Sequence, residues 1–167
     1  MGEARIRQAE ESDFNFFYII KCEDDNIYWS GHTALPLREK LFRFFFSHVQ
    51  SHDVLNKRTI FIVEEKRDGL SVGYLYLDPI DRSSAEISVG IMQGVSGQGL
   101  GRQAVGALCD LACNFGFTTI YAMVREDNIR SQNMFLHAGF EKTEAFRYHF
   151  MQNLNKEVKM IAFKKVL

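Results

Sequence analysis

Apolar residues recur along this chain with two different periods, and these periods divide it into predicted strands and helices. A spacing near 3.6 residues predicts about four helices: from a cap at Ser12 or Asp13, from Pro36 to about Ser51, after Gly101, and over residues 128–138. Alternating or continuous apolar runs predict strands at residues 5–9, 59–64, 72–78, 86–92, 118–124, 141–150 and 157–163. The polar residues 22–33 interrupt the pattern and predict a loop.

Turn residues join three of these strands into an antiparallel unit. Asp68 and Gly69 mark a hairpin between the strands at residues 59–64 and 72–78, and a second reversal near Asp81 leads into the next strand. The element order is therefore β-α-α-β-β-β-α-β-α-β-β, without a repeat, linker or low-complexity segment. We predict one α/β (α+β) domain over residues 1–167, a length that suffices for one sizeable hydrophobic core.

Charge and composition narrow the classes of function. Lys and Arg number 20 against 21 Asp and Glu, so the net charge of -1 gives no overall field that would attract nucleic acid or an anionic membrane. No apolar run approaches the roughly 20 residues of a membrane span, and the N-terminus lacks the apolar segment of a signal peptide. Three cysteines, an odd set without a second ligand pair, suit a reducing compartment and predict no metal site. We therefore predict a cytoplasmic protein with no nucleic-acid or membrane partner.

A glycine cluster before the third predicted helix carries the strongest chemical signal. Gly94, Gly97, Gly99 and Gly101 let the backbone turn sharply with its N–H groups outward, and the helix adds the positive end of its dipole, so we predict a phosphate or pyrophosphate site. A Walker loop is excluded because Lys and Ser or Thr do not follow Gly101. Residues 99–104 fit the dinucleotide fingerprint G-x-G-x-x-A, although hairpin-linked strands precede it where that fold has a parallel sheet. An NAD-dependent enzyme is therefore kept as an alternative function.

Two motifs here resemble those of the GNAT superfamily of acyl-CoA-dependent N-acetyltransferases, most closely over residues 60–140. The run Ser96-Gly97-Gln98-Gly99-Leu100-Gly101 matches the family's pyrophosphate motif Arg/Gln-x-x-Gly-x-Gly/Ala except at its first position. The second motif, Asn-x-x-Ala/Ser-x-x-x-Tyr-x-x-x-Gly-Phe, is met by Asn128, Ser131, Gly139 and Phe140, with Phe135 at the tyrosine position. The resemblance implies a GNAT-like mixed, mostly antiparallel sheet of about six to seven strands, splayed at its centre.

The same resemblance implies acetyl-CoA as the cofactor and indicates which residues hold it. Backbone N–H groups from Gln98 to Arg102 would bind the pyrophosphate, and the edge of the strand that ends before the glycines would pair with the pantetheine amides. Asn128 would hydrogen-bond the pantetheine arm. The full set of implied cofactor residues is Ile91, Met92, Gln93, Ser96, Gly97, Gln98, Gly99, Leu100, Gly101, Arg102, Asn128, Ser131, Met134 and Phe135.

Acyl transfer also needs an oxyanion donor, a base and a proton for the leaving group. By resemblance, the backbone N–H of Met92 would be unpaired and would face the oxyanion. Alternation along the strand places the side chain of Glu86 on the same sheet face as Met92, where Glu86 is a candidate base acting through water. The competing interpretation is that Glu86 is a cross-strand partner for Lys or Arg. Phe135 has no proton to give, but a thiol with a pKa near about 8.5 can leave as the thiolate.

These observations predict an enzyme that transfers an acetyl group from acetyl-CoA to a primary amine of a small molecule or peptide, by direct attack without an acyl-enzyme. Phe135 leaves open a catalytically silent acyl-CoA-binding sensor on the same fold. Tyr28, Trp29 and Tyr76 are candidate acceptor contacts, although Trp29 suits a core position equally well. Acceptor identity and acyl length are left open, and a homodimer is compatible with the sequence.

Overall fold

Seven strands form one sheet in the computed structural model, which describes residues 2–167. The strands are β1 Ala4–Gln8, β2 Thr59–Glu65, β3 Ser71–Pro79, β4 Ser84–Ile91, β5 Thr119–Arg125, β6 Glu141–Met151 and β7 Lys156–Val166. Their spatial order is β1-β2-β3-β4-β5-β7-β6. Every neighbouring pair is antiparallel except β4 and β5, which are parallel. The predicted mixed and mostly antiparallel sheet is therefore confirmed.

The described residues form five α-helices where about four were predicted. They are α1 Phe14–Lys21, α2 Asp24–Ser30, α3 Arg38–Val49, α4 Leu100–Asn114 and α5 Ile129–His137. The additional helix, α2, lies within the segment predicted as a loop. Asp24 and Asp25 favour its positive N-terminus, and Gly31 ends it with a left-handed φ of 80°. With no fully buried residue, this short helix has no apolar period in the sequence.

The sheet splays between β4 and β5. The two strands pair only from Ser84 opposite Thr119 to Glu86 opposite Tyr121. Beyond that point β4 runs on to Ile91 along β3, and β5 runs on to Arg125 along β7. Because each strand keeps its outer partner while losing its inner one, a slot opens between them. This confirms the predicted split at the centre of the sheet.

Alternating residues of the central strands pack into two separate cores. Ala85 and Ile87 on β4 and Ala122 on β5 face α4 and α5 within one cluster. The opposite face carries Tyr74 and Tyr76 of β3, which join an aromatic cluster with α1 and α3. Phenylalanines of α1 and α3 therefore build much of this core; Phe17 and Phe45, for example, are fully buried with ring centroids 4.9 Å apart. None of the helices within residues 2–167 is both long and apolar enough to cross a bilayer.

The tip of the β6–β7 hairpin fixes α2 over the sheet. Asn153 donates from its backbone N–H to the carbonyl of Gly31 at 3.2 Å and from its side chain to the carbonyl of Tyr28 at 2.9 Å. Met151 packs so closely on Gly31 that a Cβ there would lie 2.3 Å from its sulfur. Glycine at position 31 thus serves both the turn and the contact. These contacts determine where the side chains of α2 meet the slot.

A buried ion network joins the first strand to the second. Arg7 binds both oxygens of Asp13 at 2.7 Å and one oxygen of Glu64 at 2.6 Å, while Arg5 binds the other oxygen of Glu64 at 2.7 Å. Both carboxylates are buried. Burial opposes the ionisation of Asp13 and Glu64, but the arginines outweigh it, so the pKa of each carboxyl lies below its ordinary value.

Acid should therefore destabilise the protein through these two carboxyls. A carboxyl whose pKa is lower in the folded protein than in the unfolded chain stabilises the fold. This stabilisation is fully present above the unfolded pKa, about 4, and is lost as the pH falls through the lower folded pKa. We expect the free energy of unfolding, measured by urea titration, to fall as the pH drops below about 4. The variant Arg7→Met should show a shallower acid dependence, and the part that remains comes from the depressed pKa values of Asp81 and Asp127 and from the Arg5–Glu64 pair. An equally steep acid dependence in that variant would contradict the assignment.

Candidate active site

The glycine loop forms a concave surface of backbone N–H groups at the start of α4. Gly97 and Gly99 both adopt left-handed φ values, 85° and 81°, and successive turns of this kind direct neighbouring N–H groups inward. No side chain caps α4, so the N–H groups of its first turn keep no intrahelical acceptor. A Cβ built on Gly97 or Gly99 would meet nothing within 4 Å, so the space in front of the loop is open. The loop has the geometry of an anion site.

This loop opens into a cavity of about 730 Å³ that follows the slot between β4 and β5. Its cofactor side, next to α4 and α5, is lined by the glycine loop, Arg102, Asn128, Ser131, Met134 and Phe135. Its other side, under α2, is lined by Lys21, Asn26, Trp29, Tyr74, Tyr76 and Arg125. The cavity thus connects an anion site at one end with an aromatic, cationic compartment at the other. We call the second compartment the acceptor end.

The backbone of β4 corrects one prediction. The N–H of Met92 is not free, because it donates to the carbonyl of Val72 on β3 at 2.9 Å. The N–H of Gln93 is also taken, by the carboxylate of Glu23 at 3.1 Å. Strand alternation then turns the amides of Val89 and Ile91 toward the slot, where the β4–β5 ladder has ended. The prediction that the Met92 amide is unpaired is therefore wrong. The amide that faces the slot at this end of β4 is that of Ile91, one residue earlier.

Asn128 and the first two turns of α5 form the opposite wall. Asn128 caps the helix by accepting from the N–H of Ser131 at 3.1 Å, and it still lines the cavity. Ser131, Met134 and Phe135, three of the predicted cofactor residues, line it as well. Gly101 lies where α4 meets this wall, and a Cβ there would lie 2.9 Å from the sulfur of Met134, whose flexible side chain would have to shift. Leu100, by contrast, points into the core and offers only its backbone to a ligand.

Arg130 links three elements at the mouth of the cavity. Its guanidinium donates to the hydroxyl of Ser96 in the glycine loop and to the carboxylate of Asp25 on α2, each at 3.2 Å. It lies two positions after Asn128 and lines the cavity beside the anion site. Sequence reasoning did not identify Arg130, since an exposed arginine in a first helical turn carries no distinctive pattern. Arg130 places a positive charge next to Ser96, the position at which the first motif has Arg or Gln.

At the acceptor end, a lysine and an asparagine converge on one tyrosine hydroxyl. Lys21 Nζ donates to Tyr74 Oη at 2.7 Å, and Asn26 Nδ2 donates to it at 3.1 Å. The ammonium also lies 4.2 Å from the Tyr74 ring centroid and 5.1 Å from that of Tyr76. Burial lowers the pKa of Lys21, but the two tyrosines outweigh it and the net direction is upward. Lys21 therefore remains a cation.

Of the three predicted acceptor contacts, two line the cavity. Trp29 is half-buried rather than in the core, and its ring lies 4.6 Å from the guanidinium of Arg125. Tyr76 is buried, and this burial raises its pKa to about 12. Tyr28 lies outside the cavity lining with its ring edge against Trp29. The side chain of Arg125 is buried and binds Asp127 with two of its nitrogens, while Nη1 has no partner in the described residues.

Glu86 lies on the predicted sheet face but outside the cavity lining. It occupies the last paired position of β4 and β5, and its carboxylate accepts from Arg147 at 3.3 Å. Glu86 therefore has an arginine partner, as in the competing interpretation, but Arg147 lies on β6 rather than on a strand next to β4. Nothing in its position supports a role as the base, which stays a prediction without geometric support.

The comparisons agree with this architecture. Residues 4–141 match the family model described as an acetyltransferase (GNAT) domain. A ribosomal-protein-alanine N-acetyltransferase from Brucella melitensis superposes with a TM-score of 0.77 at 21% identity, covering 98% of this chain and 99% of that one. The spermidine N-acetyltransferase from Vibrio cholerae, solved with CoA and spermine, gives 0.83 at 18% identity, with 98% and 95% covered.

RimL, a ribosomal L7/L12 alpha-N-protein acetyltransferase solved with coenzyme A, gives a TM-score of 0.83 at 15% identity, with 99% and 94% of the two chains covered. No curated protein sequence matches the chain. At these identities the structural likeness shows the fold, while the family model covers most of the sequence. The chain belongs to the GNAT acetyltransferase family.

Proposed function

We propose that this protein transfers an acetyl group from acetyl-CoA to a primary amine of a small molecule or peptide by direct attack. The observation that carries the proposal is the continuity of the anion site with the slot: two left-handed glycines at an uncapped helix N-terminus lead directly to the free edge of β4. A diphosphate and an extended amide chain are the chemical groups that fit these two surfaces.

The residues present fit acetyl-CoA. The loop N–H groups, Arg102 and Arg130 would hold its phosphates, and the two left-handed glycines leave the space a diphosphate needs. The amide of Ile91, nearer the loop, would pair with the pantetheine, and Asn128 would contact the same arm from α5. Acetyl-CoA supplies the acetyl group as a thioester whose carbonyl carbon a neutral amine can attack.

The amide of Val89 is our candidate for the oxyanion donor. It lies deeper in the slot than Ile91, one pleat closer to the last pair of β4 and β5, and it faces the same opening. Its other side is fixed because the flanking residues belong to the β3 ladder. A donor held in this way needs no reorganisation as negative charge develops on the carbonyl oxygen. Val89 thus takes the role first assigned to Met92.

The alternative, a catalytically silent acyl-CoA-binding sensor, is favoured by one observation: Phe135 is buried against Phe140 and Phe163 and carries no hydroxyl. A free-thiol release assay separates the two functions. The protein is incubated with acetyl-CoA and a panel of peptides, amino acids, amino sugars and polyamines, and calorimetry measures CoA binding in parallel. Thiol release with an acetylated product supports the enzyme. Binding without transfer to any amine would favour the sensor.

Charges at the acceptor end predict which amines react. Lys21 is a cation held by the Tyr74 hydroxyl rather than by a carboxylate, whereas Arg125 is paired with Asp127, and Asp25 at the cavity rim is paired with Arg130. A polycationic acceptor would place further positive charge beside Lys21, at a cost of a few kcal/mol for a close pair at an effective dielectric constant of about 20. We expect kcat/KM for spermidine to be at least about tenfold below that for an alkyl monoamine of equal length. A preference for spermidine would contradict this account of the acceptor end.

A further inference from the structure

Position 135 on α5 offers the leaving sulfur no proton donor. Phe135 occupies the position from which a side chain could reach the slot, and its ring is packed among phenylalanines. The lining contains two phenols, Tyr74 and Tyr76, both from β3 on the acceptor side. Under the proposed function, on which this inference rests, these two phenols are the candidates for serving the sulfur.

The hydroxyl of Tyr74 keeps its own proton available. Its oxygen accepts from Lys21 and from Asn26, two groups that only donate in these contacts. It donates to no acceptor among residues 2–167. In both of its contacts with the protein, this oxygen therefore accepts a hydrogen bond. Its own O–H remains free to donate to a ligand in the cavity.

The position of the ring brings this hydroxyl to the free edge of β4. Tyr74 is the direct cross-strand partner of Gly90. A Cβ on Gly90 would lie 2.4 Å from Cε1 of Tyr74, 2.7 Å from Cζ and 3.0 Å from Oη. The phenol therefore lies across the glycine, between the two residues whose amides face the slot, Val89 and Ile91. Any other residue at position 90 would displace it.

We propose that Tyr74 is the general acid of this acetyltransferase, positioned by Lys21 and Asn26. As the amine nitrogen bonds to the carbonyl carbon and the carbon–sulfur bond breaks, the bonding pair goes to sulfur and Tyr74 gives its proton to that sulfur. The Lys21 ammonium stabilises the phenolate that forms. The proton lost by the attacking amine returns to Tyr74 through water, so the products are the amide and the free thiol.

Tyr76 is less suited to this role. It lies opposite Ser88, nearer to the point where β4 and β5 are paired, and no glycine opens a path across β4 there. The guanidinium of Arg58 covers its ring at 4.3 Å. Tyr76 therefore belongs to the wall of the acceptor end rather than to the edge of the slot.

Binding measurements test the proposal without turnover. CoA and desulfo-CoA, which lacks the sulfur, are titrated calorimetrically at pH 9, where most of the thiol is ionised. A hydrogen bond from Tyr74 to the thiolate predicts that Tyr74→Phe loses about tenfold in affinity for CoA and less than twofold for desulfo-CoA. Tyr121→Phe, which removes a phenol outside the cavity, should change neither affinity.

Kinetics and a second variant complete the test. Tyr74→Phe should lower kcat about 10²-fold with little change in the KM for acetyl-CoA, and Gly90→Ala, which displaces the intact phenol, should show the same selective loss for CoA. Equal effects on CoA and desulfo-CoA, or no effect on either, would overturn the role of Tyr74 while leaving CoA binding intact. Failure of the unmodified protein to bind either compound would instead overturn the proposed function, and this proposal with it.

Discussion

Replacing Gly99 with valine should weaken the binding of CoA by about 10³-fold. The left-handed φ of 81° at this position costs a β-branched residue of order 1–3 kcal/mol, and relief of that strain rotates the N–H groups that flank it. Each lost hydrogen bond to a charged phosphate costs about a further 1.5–3 kcal/mol. The added side chain would also occupy the open space in front of the loop. Calorimetric titration with CoA measures the effect directly.

Gly94→Val is the matched control. Gly94 belongs to the same loop and its Cβ would also meet nothing within 4 Å, but its φ is not left-handed. We expect its affinity for CoA to stay within about threefold of the unmodified protein, since no strain forces the backbone to move. Circular dichroism should show both variants folded. Unchanged affinity in a folded Gly99→Val variant would show that the loop does not bind the diphosphate.

Converting the backbone amide of Val89 to an ester should lower kcat by about 10²–10³-fold. Incorporation of the α-hydroxy acid analogue of valine removes one N–H and keeps the side chain. Because this N–H faces the slot rather than β3, the sheet loses no ladder donor, and only the Ser88 carbonyl, now part of the ester, becomes a weaker acceptor for the N–H of Tyr76. Loss of a single oxyanion donor typically has an effect of this size. Steady-state kinetics with a reactive amine from the panel gives the result.

The same ester substitution at Met92 provides the contrast. Its N–H bonds to Val72, so its loss should lower the free energy of unfolding by about 1 kcal/mol while kcat changes less than threefold. If instead the ester at Met92 abolished turnover and the one at Val89 did not, the original assignment of the oxyanion donor would be correct.

Most strands and four of the helices were predictable because local signals coincided with tertiary packing. The Asp68-Gly69 turn joins β2 and β3 in a hairpin. The residues with the apolar period after Gly101 form α4, whose buried side packs against the sheet. The glycine loop was predictable for a different reason, since left-handed positions at Gly97 and Gly99 restrict the residue type directly. Where backbone geometry requires a residue, sequence alone identifies the position.

The acceptor end was not predictable to the same extent. Lys21 is the last residue of α1, and only the fold brings its ammonium to Tyr74, which lies 53 positions away. Asn26 lies on a helix that has no apolar period. The direction of the Met92 amide depends on the register of β4 against β3, and a shift by one residue reverses every N–H along the strand. Such features arise from pairing between distant segments, which local patterns do not contain.

A crystal structure of the protein with CoA tests the central claim most directly. We expect the diphosphate within hydrogen-bonding distance of the N–H groups around Gly99, the pantetheine beside Ile91, and the sulfur within reach of the Tyr74 hydroxyl. A diphosphate bound away from the start of α4, or strands β4 and β5 paired along their full length with the ligand outside, would contradict the account.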